Sequence, residues 1–368
     1  MNASLEFCRV APDVVAPVEP RRKVGAPQLL NPLEHDGWDG LLGTHSDSSF
    51  FHTAAWAGVL RETYGFNPAY FTVCENTSLL SLLPVMEVNS RLTGRRGVAL
   101  PFTDFCEMPD YDSTLKNLLI PAAIAYGRQK GWAYLEMRGA RELFSDVPAW
   151  QSFLSHELKL HKDEGRMFAG FDSATRRAIR KSEKLGVIVE ISDSFDAVQS
   201  FYALHCKTRK KHGLPPQPSR FFQNIHKHIL SRQMGLVVTA RRRQNIIAAA
   251  IFFHFGAKAI YKYGASDETF QELRGNNLVI WEAIKWYGAN GAKALHFGRT
   301  SIANEGLRRF KLAWGSDEQT IEYLRYDLQK SCFVTGKDRV IGWYNTVFRA
   351  LPIPLLRMIG RLLYRHAA

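Results

Sequence analysis

Most side chains of this chain that could do chemistry are cations, set along one helix and at strand ends. Arg176, Arg180 and Lys184 recur four apart in D-S-A-T-R-R-A-I-R-K-S-E-K-L-G, with Arg177 and Lys181 beside them. Like charges at that spacing repel by roughly 0.2–0.5 kcal/mol each in an isolated helix. A face that keeps them without interleaved acids is a candidate phosphate-binding surface; the alternative is a solvated helix. Arg299 follows Gly298 at the end of A-L-H-F-G-R, where a guanidinium suits a phosphate or a carboxylate. His296, in the same stretch, reads as a packed strand residue rather than a base. Tyr261 and Tyr263 alternate in Y-K-Y-G-A-S, and their common face should line a groove or the core. No Ser-His-Asp or Cys-His constellation has a recognisable spacing, so a covalent intermediate is not expected.

Composition sets outer limits. At 368 residues, two domains are the default expectation. Hydrophobic content of 46%, with 12% aromatics, supplies buried cores and excludes a disordered chain. The net charge of +13, from 48 Lys and Arg against 35 Asp and Glu, favours polyanionic partners or serves solubility alone. The five cysteines are scattered and form no C-x-x-C pair, so neither a zinc site nor a disulfide framework is expected. Reduced thiols fit a cytoplasmic location. An early acid and no long apolar run lead us to expect no secretory leader, and no uncharged stretch approaches the roughly 20 residues that span a bilayer.

The elements that must position these residues follow from periodicity and punctuation. Pro12, Pro17, Pro20, Pro27 and Pro32 argue against a regular element over residues 1–35, which reads as a mostly extended lead-in, part of which could pair as an edge strand. Trp56, Val59, Leu60 and Tyr64 fall at helical spacing before Gly65. A-Y-F-T-V-C-E and S-L-L-S-L-L-P-V-M-E-V follow as strands, then a helix over 115–129 and the strand W-A-Y-L-E-M-R. His156 to Leu160 reads as a strand before a linker. Asp172 or Ser173 caps the basic helix and Gly186 ends it. Next come V-I-V-E-I, a helix over 194–212, the helix R-F-F-Q-N-I-H-K-H-I-L, a hairpin across R-R-Q-N, and Y-K-Y-G-A-S. Helix, strand and helix complete the order up to Gly315. This second half repeats the order of the first, so we expect an α/β (α+β) fold of two similar domains, 36–165 and 166–330, each a mixed, mostly antiparallel sheet flanked by helices. Residues 331–368 form a basic amphipathic tail.

The order of elements resembles the GNAT acyltransferase fold, and the tandem copy resembles the Fem-type peptidyltransferases. The likeness covers about Phe50 to Tyr326. It is carried by Y-x-Y-G-A-S, N-x-L-x-x-W-x-A-I, H-F-G-R-T-S and G-L-R-R-F-K-L-A-W-G, with F-F-H-T-A-A-W, L-P-F-T-D-F and R-R-A-I-R-K-S-E-K-L-G in support. The family attaches amino acids from aminoacyl-tRNA to peptidoglycan precursors in the bacterial cytoplasm. Two departures stand out: the long helical arm of the best-known members is missing, and G-R-T-S replaces their G-G-x. In both respects the chain looks like a Fem-like branch linked with exopolysaccharide and envelope assembly.

The resemblance implies roles for particular residues. Lys311 of the F-K pair would stabilise the oxyanion of a tetrahedral intermediate, though a surface lysine beside Phe310 and Trp314 is the other reading. Asp104 would face an interdomain cleft and take the amine proton or orient the acceptor; otherwise it is a turn or N-cap aspartate. Lys211, and less directly Arg61, match acceptor-phosphate contacts. No cofactor is expected to be held tightly. The acyl donor is either aminoacyl-tRNA or acyl-CoA, and D-E-T-F-Q-E-L-R-G-N-N lacks the second small residue of a CoA pyrophosphate loop. Three functions therefore stand: aminoacyl or acyl transfer to an amine of a nucleotide- or lipid-linked envelope precursor, acyl-CoA-dependent acetyl transfer in exopolysaccharide synthesis, or a non-catalytic membrane-associated binding module. In the tail, Arg357, Arg361 and Arg365 are four apart beside leucines, which suits an anionic membrane surface or packing on the fold.

Overall fold

The computed structural model describes residues 25–43, 47–76, 78–109, 113–336 and 344–367. Most of the expected lead-in over 1–35 thus lies outside the described residues. The chain divides into two compact units: Met1–Phe153 with Thr320–Arg339 and Arg365–Ala368, and Leu154–Gln319 with Val340–Tyr364. The division falls inside a strand at 153/154 rather than at the expected 165/166, and residues 320–339 return to the first unit.

The first unit opens with β1 (Gln28–Leu30), α1 (Trp38–Gly43) and α2 (Ala54–Tyr64). β1 is the edge strand that part of the lead-in could form. Its three residues lie between Pro27 and Pro32, which leaves their amides intact to pair with Tyr70–Thr72. The Thr53 hydroxyl accepts from the Trp56 amide to start α2, and Gly65 ends it at φ 76. β2 (Asn67–Glu75), β3 (Ser78–Ser90) and β4 (Gly94–Val98) pair antiparallel. α3 (Ser113–Gln129) then crosses over, so that β5 (Tyr134–Arg138) runs parallel to β4. β6 (Gln151–Lys159), five residues longer at its start than expected, leads into the second unit.

There α4 (Glu164–Ala169) and α5 (Ser173–Lys184) precede β7 (Ile188–Ser192), α6 (Phe195–Lys211) and α7 (Ser219–His228). β8 (Gly235–Arg242), β9 (Asn245–Phe255) and β10 (Lys258–Ser266) pair antiparallel, and α8 (Gly275–Ala289) crosses to β11 (Ala294–Ser301), parallel to β10. α9 (Glu305–Leu312) follows. β12 (Asp317–Asp327) returns to the first unit, where it pairs with β5 and with β13 (Cys332–Phe333). α10 (Tyr344–Ala350) and α11 (Ile353–Leu363) complete the helices. Three antiparallel strands, a crossover helix and a parallel strand thus occur once in each unit, which is the repeat read from the sequence. Cys74, Cys106 and Cys206 are free, but Cys332 is disulfide-bonded, where reduced thiols were expected throughout.

The two units are stabilised in different ways. In the second, alternation along β8 and β9 sends Val238, Ala250 and Phe252 to a face covered by α5 and α8, against Ile179, Trp281 and Ile284. α6 and α7 cover the other face through Phe201, Phe221 and Phe222. The first unit has an apolar core of its own, with Val85, Leu119, Ile124 and Leu135, and adds a buried ion network. Arg138 donates to Glu136 Oε1 from Nη2 at 2.8 Å, while Arg325 donates to Glu136 Oε2 at 2.7 Å. Burial alone would raise the Glu136 pKa; Arg138 and then Arg325 outweigh it and hold the carboxyl at about 2. Arg138 also donates to the carbonyls of Leu100 and Thr103, both at 3.0 Å. It thereby pins a loop in which Leu100 and Phe102 adopt φ 53 and 62, a conformation costly for such side chains.

Buried histidines make the second unit acid-sensitive. Burial, then Arg209, pushes His205 down to about 3, and burial likewise lowers His156 and the half-buried His254. Each folded value lies below the ordinary 6.5, so the unfolded chain takes up protons first. Stability from these groups is complete above about pH 6.5 and falls as the pH drops toward their folded values. Urea midpoints should therefore be lower at pH 5.5 than at pH 7.5; equal midpoints would mean that these imidazoles protonate freely in the fold.

Candidate functional site

In the second unit β10 and β11 pair only between Lys258–Ile260 and Ala294–His296. Beyond that point they part. At the parted edge of β11 the chain turns through Gly298 at φ 72. This turn breaks the strand alternation, so two successive carbonyls reach one donor: Lys311 Nζ on α9 donates to Gly298 O at 2.7 Å and Arg299 O at 3.1 Å. Lys311 is only 3% exposed, so it is a buried cation rather than a surface lysine. His296 fixes the same turn, because its Nδ1 accepts from the Gly298 amide at 2.9 Å and its Nε2 therefore donates to Ser155 Oγ at 2.6 Å.

A second group near Lys311 was not legible in the sequence. Arg308 donates to both oxygens of Glu318 at 2.8 Å, and His156 Nε2 donates to Glu318 Oε2 at 2.9 Å. Arg308, then His156, holds Glu318 below the usual carboxylate range. Burial, then the Lys311 charge, lowers the His156 pKa. The Nδ1 of His156 is buried without a hydrogen-bond partner. The only sequence signals were an acid two residues past Gly315-Ser316 and a histidine in a strand, 162 residues apart.

At the start of α8 two adjoining hollows of about 220 and 450 Å3 share Arg274, Asn277 and Phe310. Arg177 and Lys181 of α5 line the larger one, so three cations line it together with Phe310. Arg274 caps α8 at φ 56. Its amide donates to Gln271 O at 3.1 Å, and the Asn277 amide donates to Arg274 O at 3.0 Å, so both are spent within the chain. A Cβ on Gly275 would lie 3.1 Å from Ile247, so this glycine serves close packing of α8 on β9. Among the described residues no group of three His, Cys, Asp or Glu is placed to hold a metal ion.

The remaining residues singled out from the sequence are dispersed. Arg180 lies over the Phe168 ring at 5.1 Å, and Arg176 is half-buried. Arg299 is exposed. Lys211 pairs with Glu268 at 2.8 Å. Arg61 is exposed on α2. Asp104 is half-buried in the pinned loop of the first unit, where its carbonyl accepts from the Tyr323 hydroxyl at 2.6 Å. Tyr261 and Tyr263 do not share a face. A register shift between them sends Tyr261 toward Phe252 and Phe297, and Tyr263 toward Phe201 and Phe222. Burial pushes the Tyr261 hydroxyl up to about 12.

The larger hollow gives a direct test. Arg177→Glu, Lys181→Glu and Arg274→Glu should each weaken binding of a phosphate-bearing polyanion about fivefold to tenfold at low salt, with the effect shrinking as salt rises. Titrations at two salt concentrations measure this, and unchanged affinity in all three variants would exclude the hollow as an anion site.

Residues 170–313 match the model of the Acetyltransferase (GNAT) domain family. No curated protein matches the chain in sequence. Among solved structures it is similar to one titled FemX, with a TM-score of 0.66 and 14% identity over 81% of this chain and 97% of that one. A tandem GNAT protein from the clavulanic acid biosynthesis pathway gives 0.50, 9%, 82% and 98% for the same quantities. The C-terminal domain of a putative lysylphosphatidylglycerol synthetase from Agrobacterium fabrum gives 0.50, 13%, 74% and 86%. At these identities the likeness shows the fold, a mixed α/β tandem GNAT arrangement.

Proposed function

We propose that this chain, with a GNAT acyltransferase domain in residues 170–313 of a Fem-like tandem fold, transfers an aminoacyl group from a charged tRNA to an amine of a cell-envelope precursor. The observation that carries the reading is Lys311, a buried ammonium held by two carbonyls where β10 and β11 part. The loop D-E-T-F-Q-E-L-R-G-N-N before α8, with asparagines where a CoA pyrophosphate loop has its second small residue, supports a donor other than CoA. Arg177, Lys181 and Arg274 supply positive charge for a phosphodiester backbone. The structures titled FemX and lysylphosphatidylglycerol synthetase support an envelope molecule as acceptor.

The chemistry balances without a covalent enzyme intermediate. A neutral amine attacks the ester carbonyl, a C–N bond forms, and negative charge gathers on the former carbonyl oxygen. The Lys311 ammonium stabilises that charge, worth about 3–4 kcal/mol for one well-placed donor. Collapse breaks the ester C–O bond and returns a hydroxyl to the tRNA. The proton that the amine gives up balances the one that the departing oxygen takes up.

A donor screen tests the reading. Charged tRNAs and CoA thioesters are each offered with nucleotide-linked and lipid-linked envelope precursors, and the acceptor is weighed by mass spectrometry. An added amino-acid residue from charged tRNA alone is the expected result. Transfer from CoA thioesters alone would replace this donor with acyl-CoA, and no amide with any donor would leave a binding module.

A further inference from the structure

From the outer face of α11 we infer that this chain docks on an anionic lipid surface, independently of which acyl donor it uses. α11 is clamped to the second unit along one side only. Leu356 is fully buried, and Gly360 lies so close to the Pro216 carbonyl that any Cβ there would overlap it. Arg209 donates to the Tyr364 hydroxyl at 2.8 Å, which in turn donates to Pro215 O at 3.2 Å. α10 is fixed in the same manner, with Asn345 Nδ2 donating to Gly213 O at 3.0 Å. The opposite side is therefore held outward by a rigid mount.

That outward side is apolar and basic together. Met358 is 54% exposed and Leu362 59%; Leu363 of α11 and Val347 and Tyr344 of α10 are exposed as well. These five are concentrated in twenty residues, whereas only seven other large hydrophobic side chains are exposed among the remaining described residues. At 100° per residue, Arg357 and Arg361 of α11 form a row beside the Met358–Leu362 row, with Arg357 also lying over the Tyr202 ring at 5.3 Å. No Asp or Glu occurs from Arg339 to Ala368, so nothing in the segment neutralises these charges.

Charge complementarity selects the occupant. An arginine row flanking a narrow apolar row fits the boundary of a bilayer, where side chains such as Met and Leu enter the acyl region and guanidinium groups meet anionic headgroups. A protein partner or a second copy would have to supply carboxylates opposite every arginine. α11 has eleven residues, about 16 Å at 1.5 Å each, too short to span a bilayer. Among the described residues no helix is long and apolar enough to cross a membrane. The helix lies along the surface.

Vesicle flotation tests this with the full-length chain. Vesicles containing phosphatidylglycerol should carry the protein upward, whereas pure phosphatidylcholine vesicles should carry at least about tenfold less. Met358→Ser combined with Leu362→Ser should reduce binding by about tenfold or more, and Arg361→Gln by about fivefold, with added salt mimicking the latter. Ile188→Ser, at an exposed position on β7, serves as the control and should change nothing. Circular dichroism checks that each variant is folded. Absence of flotation with anionic vesicles, or flotation untouched by the α11 variants, would overturn the inference. So would a dimer that sedimentation detects and the Met358/Leu362 variant dissolves, which would assign the face to a second copy.

Discussion

Lys311→Met should lower kcat for amide formation by about a hundredfold to a thousandfold while leaving the donor KM within about threefold. The argument is geometric. Two protons of the ammonium are committed to Gly298 O and Arg299 O, which fixes its position at the parted strands before any ligand arrives. A donor that is already oriented spends no reorganisation when charge develops, which is why its loss falls on kcat rather than on binding. Methionine keeps the length and apolar bulk of the side chain, but leaves two carbonyls unpaired at a cost of about 1–3 kcal/mol each. Rates should therefore be measured at a temperature where circular dichroism shows the variant fully folded. A kcat within a factor of about three of the parent would remove Lys311 from the reaction.

The largest expected effect on stability lies in the other unit. Arg138→Met should destabilise it by about 3–5 kcal/mol, because Glu136 would be left buried with Arg325 as its remaining cation. The same change frees the loop from Leu100 to Thr103, whose two left-handed residues depend on the Arg138 guanidinium for their conformation. Adding Glu136→Gln to Arg138→Met should recover part of the loss, since it removes the stranded charge. Urea unfolding of the two variants side by side measures both quantities. A cost below about 1 kcal/mol for Arg138→Met would show that the ion network is not what holds the loop.

What the sequence revealed was local. Asp172 caps α5 with its carboxylate accepting from the Ala174 amide at 2.6 Å, and Gly186 follows at φ 67 where the helix was expected to stop. The order of strands and the crossover helices were equally legible, because period-2 and period-3.6 patterns are properties of short segments. The features that failed depend on how strands register with one another. The shared face of Tyr261 and Tyr263 was lost to a single register shift in β10. Lys311 was singled out through the F-K pair, with a surface lysine as the other reading, but its burial against the carbonyls of Gly298 and Arg299 depends on the fold. The His156–Glu318–Arg308 cluster joins residues that only the completed sheet brings together. On α5 the helix was read correctly, but which of its basic faces meets the hollow depended on α8, and Arg177 and Lys181 line it.

The central claim is direct aminoacyl transfer, and a single-turnover experiment tests it most closely. The protein is mixed with an equimolar amount of tRNA carrying a radiolabelled amino acid, with and without an envelope precursor, and samples are quenched over time and separated. With the precursor present, label should leave the tRNA and enter an amide of the precursor in one phase, none being found on the protein. Label that reaches the protein first, or tRNA that stays charged while an acyl-CoA is consumed in a parallel sample, would contradict the account.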